Sequence, residues 1–296
     1  MPALSVVAAC TLTTSLEGLQ SGGEAGQGGE NPQGGASGQA VDGAATRDGS
    51  NDVLADAKDD DKGEIIAANQ RGLRGIAFFK SLYWVDAETP AIWMADAAGA
   101  GAQRVLTSAE NVNNPFDVDA ADKYVFWSEF TSGAVWRAVG TTSGLLGGGL
   151  PRAAFLAAMD GSTPLVSDLQ GDANGKTVWK NGTRLYSRLE RVMGLGHEAD
   201  NLYWAEPSAI YQGAVDGRDP VKIATAVNAT GGVATNGIDV FWIENERELW
   251  RQPLGTSAKR RIFMGAGEQK LFDVAASSTF VFWTDPGTQS VRRLKL

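Results

Sequence analysis

The sequence predicts an all-β protein: a six-bladed β-propeller over residues 63–296, closed by an N-terminal strand and preceded by a disordered tether at 11–62. Three observations carry this expectation. A short aromatic motif recurs along the C-terminal four-fifths of the chain. Each copy is flanked by short apolar stretches with turn residues between them. The last unit also runs out of chain before its fourth strand, while an unclaimed strand-like segment precedes the first unit.

The motif is an aromatic residue, Trp, any residue, then an acid. It reads Tyr83-Trp84-Val85-Asp86, Phe126-Trp127-Ser128-Glu129, Tyr203-Trp204-Ala205-Glu206, Phe241-Trp242-Ile243-Glu244 and Phe282-Trp283-Thr284-Asp285. Val178-Trp179-Lys180-Asn181 is taken as a weaker sixth copy. The tryptophans are then 43, 52, 25, 38 and 41 residues apart, so this phasing requires an insertion in one unit and a deletion in the next. Before each motif stands a short apolar stretch, such as Gly75-Ile76-Ala77-Phe78 or Phe272-Asp273-Val274. After it come a second bulky pair, a turn and a further strand such as Val221-Lys222-Ile223-Ala224. Four short strands rich in β-branched and aromatic residues, separated by Gly, Asp and Pro, make one blade. The last unit stops at Leu296 after three strands, and Glu64-Ile65-Ile66-Ala67 has the fourth-strand pattern. It is expected to complete the last blade and remove the free sheet edges.

On these motifs the chain resembles the YWTD repeats of LDL-receptor-type six-bladed propellers and, less closely, NHL repeats, over about residues 64–296. Phe replaces Tyr in three copies and Glu replaces Asp in three. The resemblance implies that Asp86, Glu129, Glu206, Glu244 and Asp285 satisfy backbone N–H groups and hold adjacent blades together. The alternative for these acids is a carboxylate ring for Ca²⁺, which takes six to eight oxygens. The motif tryptophans are expected between blades, because a buried indole removes a large apolar area from water. Trp93, Trp136 and Trp250, on another strand, are the candidates for partial exposure.

The N-terminus reads differently. Val7-Ala8-Ala9-Cys10 resembles the lipobox of bacterial lipoproteins, and the segment 1–10 is read as a truncated lipoprotein signal with Cys10 as the lipidated residue. No Lys or Arg precedes Cys10 and the apolar run is short for a signal peptide, so the start codon is expected upstream. Residues 18–50 contain 11 Gly and no aromatic residue, the composition of a flexible tether. With that Gly-rich tether, the N-terminus resembles those of bacterial surface lipoproteins. No stretch of 18 apolar residues occurs.

Charge narrows the partners. Residues 1–62 carry a net −7 and the remainder −2. A near-neutral propeller lacks the basic excess that draws phosphate backbones, so nucleic acid is not expected. The single Cys excludes an intrachain disulfide. His197 is the only His; without a nearby Ser or Cys it makes no triad, and alone it makes no zinc site. Gly147-Gly148-Gly149 lacks the Gly-Lys-Ser/Thr of a phosphate loop. The stretch 140–152, with Gly147, Gly148, Gly149 and Arg152, is read as an insertion and as the candidate binding loop.

The expected function is a lipid-anchored, non-catalytic binding or scaffold module of the cell envelope, on the outer membrane of a bacterium, with a protein or glycan partner and no cofactor. The alternative is a metal- or quinone-dependent propeller enzyme of the lactonase or sugar-dehydrogenase type. That would need inward polar side chains on the innermost strands, for which Asp117, Asp168, Asp273 and His197 are the candidates.

Overall fold

The computed structural model describes residues 63–150, 152–162, 164–172 and 175–296. Cys10 and the tether lie outside them. The described residues form six four-stranded antiparallel sheets, with one short 3₁₀ turn at Ser108–Glu110. Blade 1 comprises β2 (Leu73–Phe79), β3 (Ser81–Asp86), β4 (Ala91–Ala95) and β5 (Gln103–Thr107). Blade 2 comprises β6 (Pro115–Ala121), β7 (Tyr124–Glu129), β8 (Ala134–Val139) and β9 (Thr142–Gly147). Blade 3 comprises β10 (Ala153–Ala158), β11 (Pro164–Asp172), β12 (Gly175–Lys180) and β13 (Thr183–Leu189). Blade 4 holds β14 (Gly194–Glu198), β15 (Asn201–Glu206), β16 (Ala209–Ala214) and β17 (Val221–Thr225). Blade 5 holds β18 (Ala229–Thr235), β19 (Asp239–Glu244), β20 (Glu248–Pro253) and β21 (Arg260–Met264). Blade 6 takes β22 (Asp273–Ala276), β23 (Phe280–Asp285) and β24 (Ser290–Lys295) from the C-terminus and β1 (Glu64–Ala67) from the start of the propeller.

The closing strand pairs as expected, with Glu64 opposite Arg293, Ile65 opposite Arg292 and Ala67 opposite Val291. The first strands pack in a closed ring, β2 on β6, β6 on β10, β10 on β14, β14 on β18, β18 on β22 and β22 on β2. One face of the ring carries the hairpins between first and second strands. The opposite face carries the connections from one blade to the next.

Six apolar clusters fill the six seams between consecutive blades. Trp84 packs with Phe282 of blade 6, and Trp127 with Val85 and Ile92 of blade 1. Trp204 packs with Phe155 and Val178 of blade 3, Trp242 with Tyr203 and Ile210 of blade 4, and Trp283 with Phe241 and Ile243 of blade 5. All five indoles are essentially inaccessible to water. A blade has one face toward each neighbour, and each motif Trp is the large apolar piece that fills the seam with the preceding blade.

Blade 3 corrects the phasing expected from the sequence. Trp179 lies on its third strand, opposite Val166, as Trp93 lies opposite Trp84, Trp136 opposite Trp127 and Trp250 opposite Trp242. The motif position of blade 3 is therefore Val166, which faces Leu156 and packs with Phe126 and Val135 of blade 2. With Val166 in place the spacings become 43, 39, 38, 38 and 41, with no insertion and no deletion. Phe155 of blade 3 packs into the following seam, against Trp204.

Candidate functional site

The stretch read as an inserted loop is the outer strand of blade 2 and an ordinary connection. Gly147 ends β9, and only residues 148–152 link it to β10. Leu150 packs into the seam of blades 2 and 3, and the Arg152 guanidinium lies over the Phe130 ring at 5.2 Å. A glycine-rich outer strand has few β-branched residues, so nothing in its local sequence announces a strand.

Three of the motif acids, Glu129, Glu206 and Asp285, are engaged by the chain that enters their blade, and the other two are held within theirs. Glu129 accepts from Asn113 N at 3.0 Å and from Ser132 Oγ. Glu206 accepts from Glu190 N and from its own motif indole, Trp204 Nε1, at 3.0 Å. Asp285 accepts from Lys270 N and Thr288 N and pairs with Arg292 at 3.2 Å. Asp86 caps its hairpin through Glu88 N and Thr89 N. Glu244 accepts from Trp242 Nε1 and pairs with Lys259 at 3.3 Å. Asp168 is a sixth member of this set. It sits on β11, opposite Ala153, where Glu129 is opposite Pro115, and so lies on a second strand rather than the innermost one.

Trp93, Trp136, Trp179 and Trp250 are half-buried. Trp93 stacks on Trp84 at 6.1 Å and Trp136 on Trp127 at 6.0 Å. Arg104, Arg184 and Lys259 cover the rings of Trp93, Trp179 and Trp250. These indoles are layers of a stack running outward from the core.

The channel is where the blades differ. At the position preceding the residue that faces the motif Trp, the six first strands carry Gly75, Asp117, Phe155, Gly194, Gly232 and Asp273. Each Asp reaches to the next blade. Asp117 Oδ2 accepts from Leu156 N at 2.7 Å, and Asp273 Oδ2 accepts from Ile76 N at 2.9 Å. A hydroxyl on the second strand completes each clamp. Ser128 Oγ receives Asp117 N and donates to Ala154 O. Thr284 Oγ1 receives Asp273 N and donates to Arg74 O at 2.7 Å. One N–H and one C=O of the neighbouring inner strand are thereby satisfied. The glycines are the complement, because a Cβ at Gly75 would overlap Asp117 Oδ1 and one at Gly232 would overlap Asp273 Oδ1. Asp119, two residues on, repeats the reach to Ala158 N at 2.6 Å.

Burial pushes the Asp117 carboxyl well above the usual range, and the charge of Asp273 adds to this. Burial also raises Asp273, to about 7, against its backbone hydrogen bonds and one from Asp117. Two close carboxyls in a dry site share protons rather than both ionising.

Two cavities flank this layer. The one on the hairpin face, about 500 Å³, is lined by Asp117, Asp119, Asp273, His197, Glu198 and Lys80 among others. His197, at the channel wall on β14, acts on Asp119, opposing the rise that burial imposes on that carboxyl. The cavity on the connection face, about 490 Å³, has a floor of Phe116, Phe155 and Phe272 beside Phe130, with Arg191, Lys270 and Glu246 in its wall. Sequence reasoning singled out none of these phenylalanines as a site; the one signal was that Phe116 and Phe272 stand just before the matching Asp117 and Asp273.

Of the four residues proposed for metal or quinone chemistry, Asp117, Asp273 and His197 all line the hairpin-side cavity, and Asp168 lies on a second strand in a seam. The oxygens of Asp117 and Asp273 are taken by backbone donors. Among the described residues no three His, Cys, Asp or Glu converge in a way that could hold a metal ion.

No protein-family model matches the chain, and neither does any curated protein. Solved structures do. The chain is similar to a nidogen/laminin complex structure (15% identity, 70% of this chain and 85% of that one, TM-score 0.59). It is also similar to a putative gluconolactonase (11% identity, 79% and 91%, TM-score 0.61) and to the PQQ-bound aldose sugar dehydrogenase of Streptomyces coelicolor (13% identity, 78% and 96%, TM-score 0.58). At such identities the likeness is one of fold, and the fold is the six-bladed β-propeller.

Proposed function

We propose that the chain is a non-catalytic binding or scaffold module for a protein or glycan, held at the cell envelope by a lipid on Cys10. The observation that carries the first half is the commitment of the carboxylates. Asp117, Asp119 and Asp273 in the channel accept backbone N–H groups of neighbouring strands, while Asp86, Glu129, Glu206 and Asp285 accept backbone N–H groups of a turn or of the connections between blades. Acids used in this way hold a ring rigid, and a rigid ring on a long Gly-rich segment suits display to a partner. The nidogen/laminin complex is a likeness on the binding side. The lipid rests on Val7-Ala8-Ala9-Cys10 and on acyl chains as the anchor, at roughly 0.8 kcal/mol per buried CH₂.

One observation favours an enzyme as the second reading: His197 and Asp119 share an open cavity at the channel mouth, and a gluconolactonase and a sugar dehydrogenase share the fold. A single set of measurements separates the two. The purified protein is assayed for lactone hydrolysis and, with quinone cofactor, for aldose oxidation, each with and without Ca²⁺. It is then applied to a glycan array and to envelope proteins by crosslinking. Saturable binding without turnover is expected. Turnover abolished by His197→Ala or Asp119→Asn would replace the binding reading by the enzymatic one. For the anchor, labelled palmitate is expected to incorporate into the protein expressed in a bacterial host behind a lipoprotein leader and to be lost in Cys10→Ala; equal labelling of both would remove it.

A further inference from the structure

We propose that the cavity on the connection face of the channel is a binding site for a small-molecule carboxylate with an apolar, ring-bearing body. This goes beyond the macromolecular partner above and stands independently of it.

The argument begins at one level of the inner strands, the residue before the Asp/Gly position. The six residues there are Arg74, Phe116, Ala154, Met193, Gly231 and Phe272. Gly231 is small because a Cβ there would meet Phe272 O, and Ala154 is buried. Phe116 and Phe272 bring bulk at the same level, and they are not buried away. Both are half-buried, as is Phe130. Phe116 stacks on Phe130 at 5.1 Å and meets Phe155 and Phe272 edge-on at 5.3 and 5.8 Å. Bulk on one side of the ring and Ala154 and Gly231 on the other leave the open volume of about 490 Å³. That is the size of a site for a drug-sized ligand, and an aromatic floor takes a ring edge-on or offset.

Charge then selects the ligand's other end. Arg191 and Lys270 stand in the wall, without an ion-pair partner among the described residues, against one acid, Glu246. Arg74, half-buried, holds its guanidinium 5.2 Å over the Phe116 ring and is not itself among the lining residues. Unpaired cations in the wall of an apolar cavity favour an anion inside it, and guanidinium matches carboxylate in a bidentate fork. The hairpin-side cavity makes the contrast, being lined by Asp117, Asp119, Asp273 and Glu198.

The test uses the full chain and two fluorescent probes, the anion 1-anilinonaphthalene-8-sulfonate and the neutral N-phenyl-1-naphthylamine. The anion is expected to bind saturably at one site, to outcompete its neutral analogue, and to be displaced by 4-phenylbutyrate but not by 4-phenylbutylamine. Arg191→Met and Lys270→Met should each weaken the anion by about threefold and leave the neutral probe unchanged. Phe130→Ala, at the rim, should weaken both. Phe116→Ala is avoided because it enters the packed floor; thermal melting of Arg191→Met and Lys270→Met establishes that they fold. Absence of saturable binding, displacement by the amine as readily as by the acid, displacement only by uronic-acid oligosaccharides, or an unchanged anion preference in folded Arg191→Met and Lys270→Met would each overturn the proposal.

Discussion

Two seams of the ring join their inner strands in opposite ways. Between blades 6 and 1, Asp273 and Thr284 reach across and bond Ile76 N and Arg74 O. Between blades 4 and 5, Gly194 lies against Gly232, with no side chain between backbones. Blades 2 and 6 pair an inner Asp with a Ser or Thr after the motif Trp. Blades 1, 4 and 5 pair an inner Gly with Val85, Ala205 or Ile243. The two arrangements depend on each other, because the carboxylates of the clamped blades occupy the space their glycine neighbours leave empty. Closure of the ring is thus a packing problem in which the size of each inner residue is fitted to its neighbour on the next blade.

The largest expected effect comes from filling the glycine seam. In Gly194→Ala the new methyl would stand 2.5 Å from Gly232 Cα and Val233 N, both backbone atoms that cannot swing away. A loss of about 3 kcal/mol or more is expected by chemical denaturation, at the upper end of overpacking effects. A loss below about 1 kcal/mol would mean that this seam is not tightly closed.

Breaking the clamp comes next. Asp273→Ala leaves Ile76 N and Val274 N buried without acceptors, and should lose about 2–4 kcal/mol. Thr284→Val keeps the shape but removes one donor and one acceptor, with about 1–3 kcal/mol expected. If the two together lose as much as the sum of the singles, the clamp is not a unit; a double-mutant cycle decides this.

A pH dependence follows with a sign opposite to that of most carboxylates. Asp273 holds its proton to about 7 in the folded chain but only to its ordinary value of 3.8 when unfolded. Between those values the folded state carries a proton that unfolding releases. This group's contribution is therefore most favourable below 3.8, falls as pH rises through the window, and levels off above about 7. The slope is at most about 1.4 kcal/mol per pH unit. Asp273→Asn removes the titrating group and should flatten the profile; an unchanged slope would place its origin elsewhere.

The smallest effect is at the closing strand's surface. Arg293 pairs with Glu64 at 2.7 Å, but Glu64 is 62% exposed, so Glu64→Gln should change stability by less than about 1 kcal/mol. A larger loss in urea titration would show that this pair, and not backbone pairing, holds β1 in place.

Much of this was readable from residues. The five strong motifs, their acids and the displaced fourth strand follow from patterns local to 40 or so residues. The register of blade 3 was not readable. Trp179 looks like a motif Trp when aromatic spacing is the only ruler, and Val166 looks like any strand valine. Only strand pairing distinguishes them. The connection-face site was hidden for a similar reason, since Phe116, Phe155 and Phe272 are up to 156 residues apart and meet only when the ring closes.

The sequence by itself determined the repeating unit, the number of units and the segment that closes them, because hydrophobic period and turn chemistry are local properties that each blade must satisfy alone. Tertiary structure decided which polar and aromatic side chains meet at the axis. There six strands from distant parts of the chain converge, and the size of one residue sets the room left for a carboxylate on the next blade.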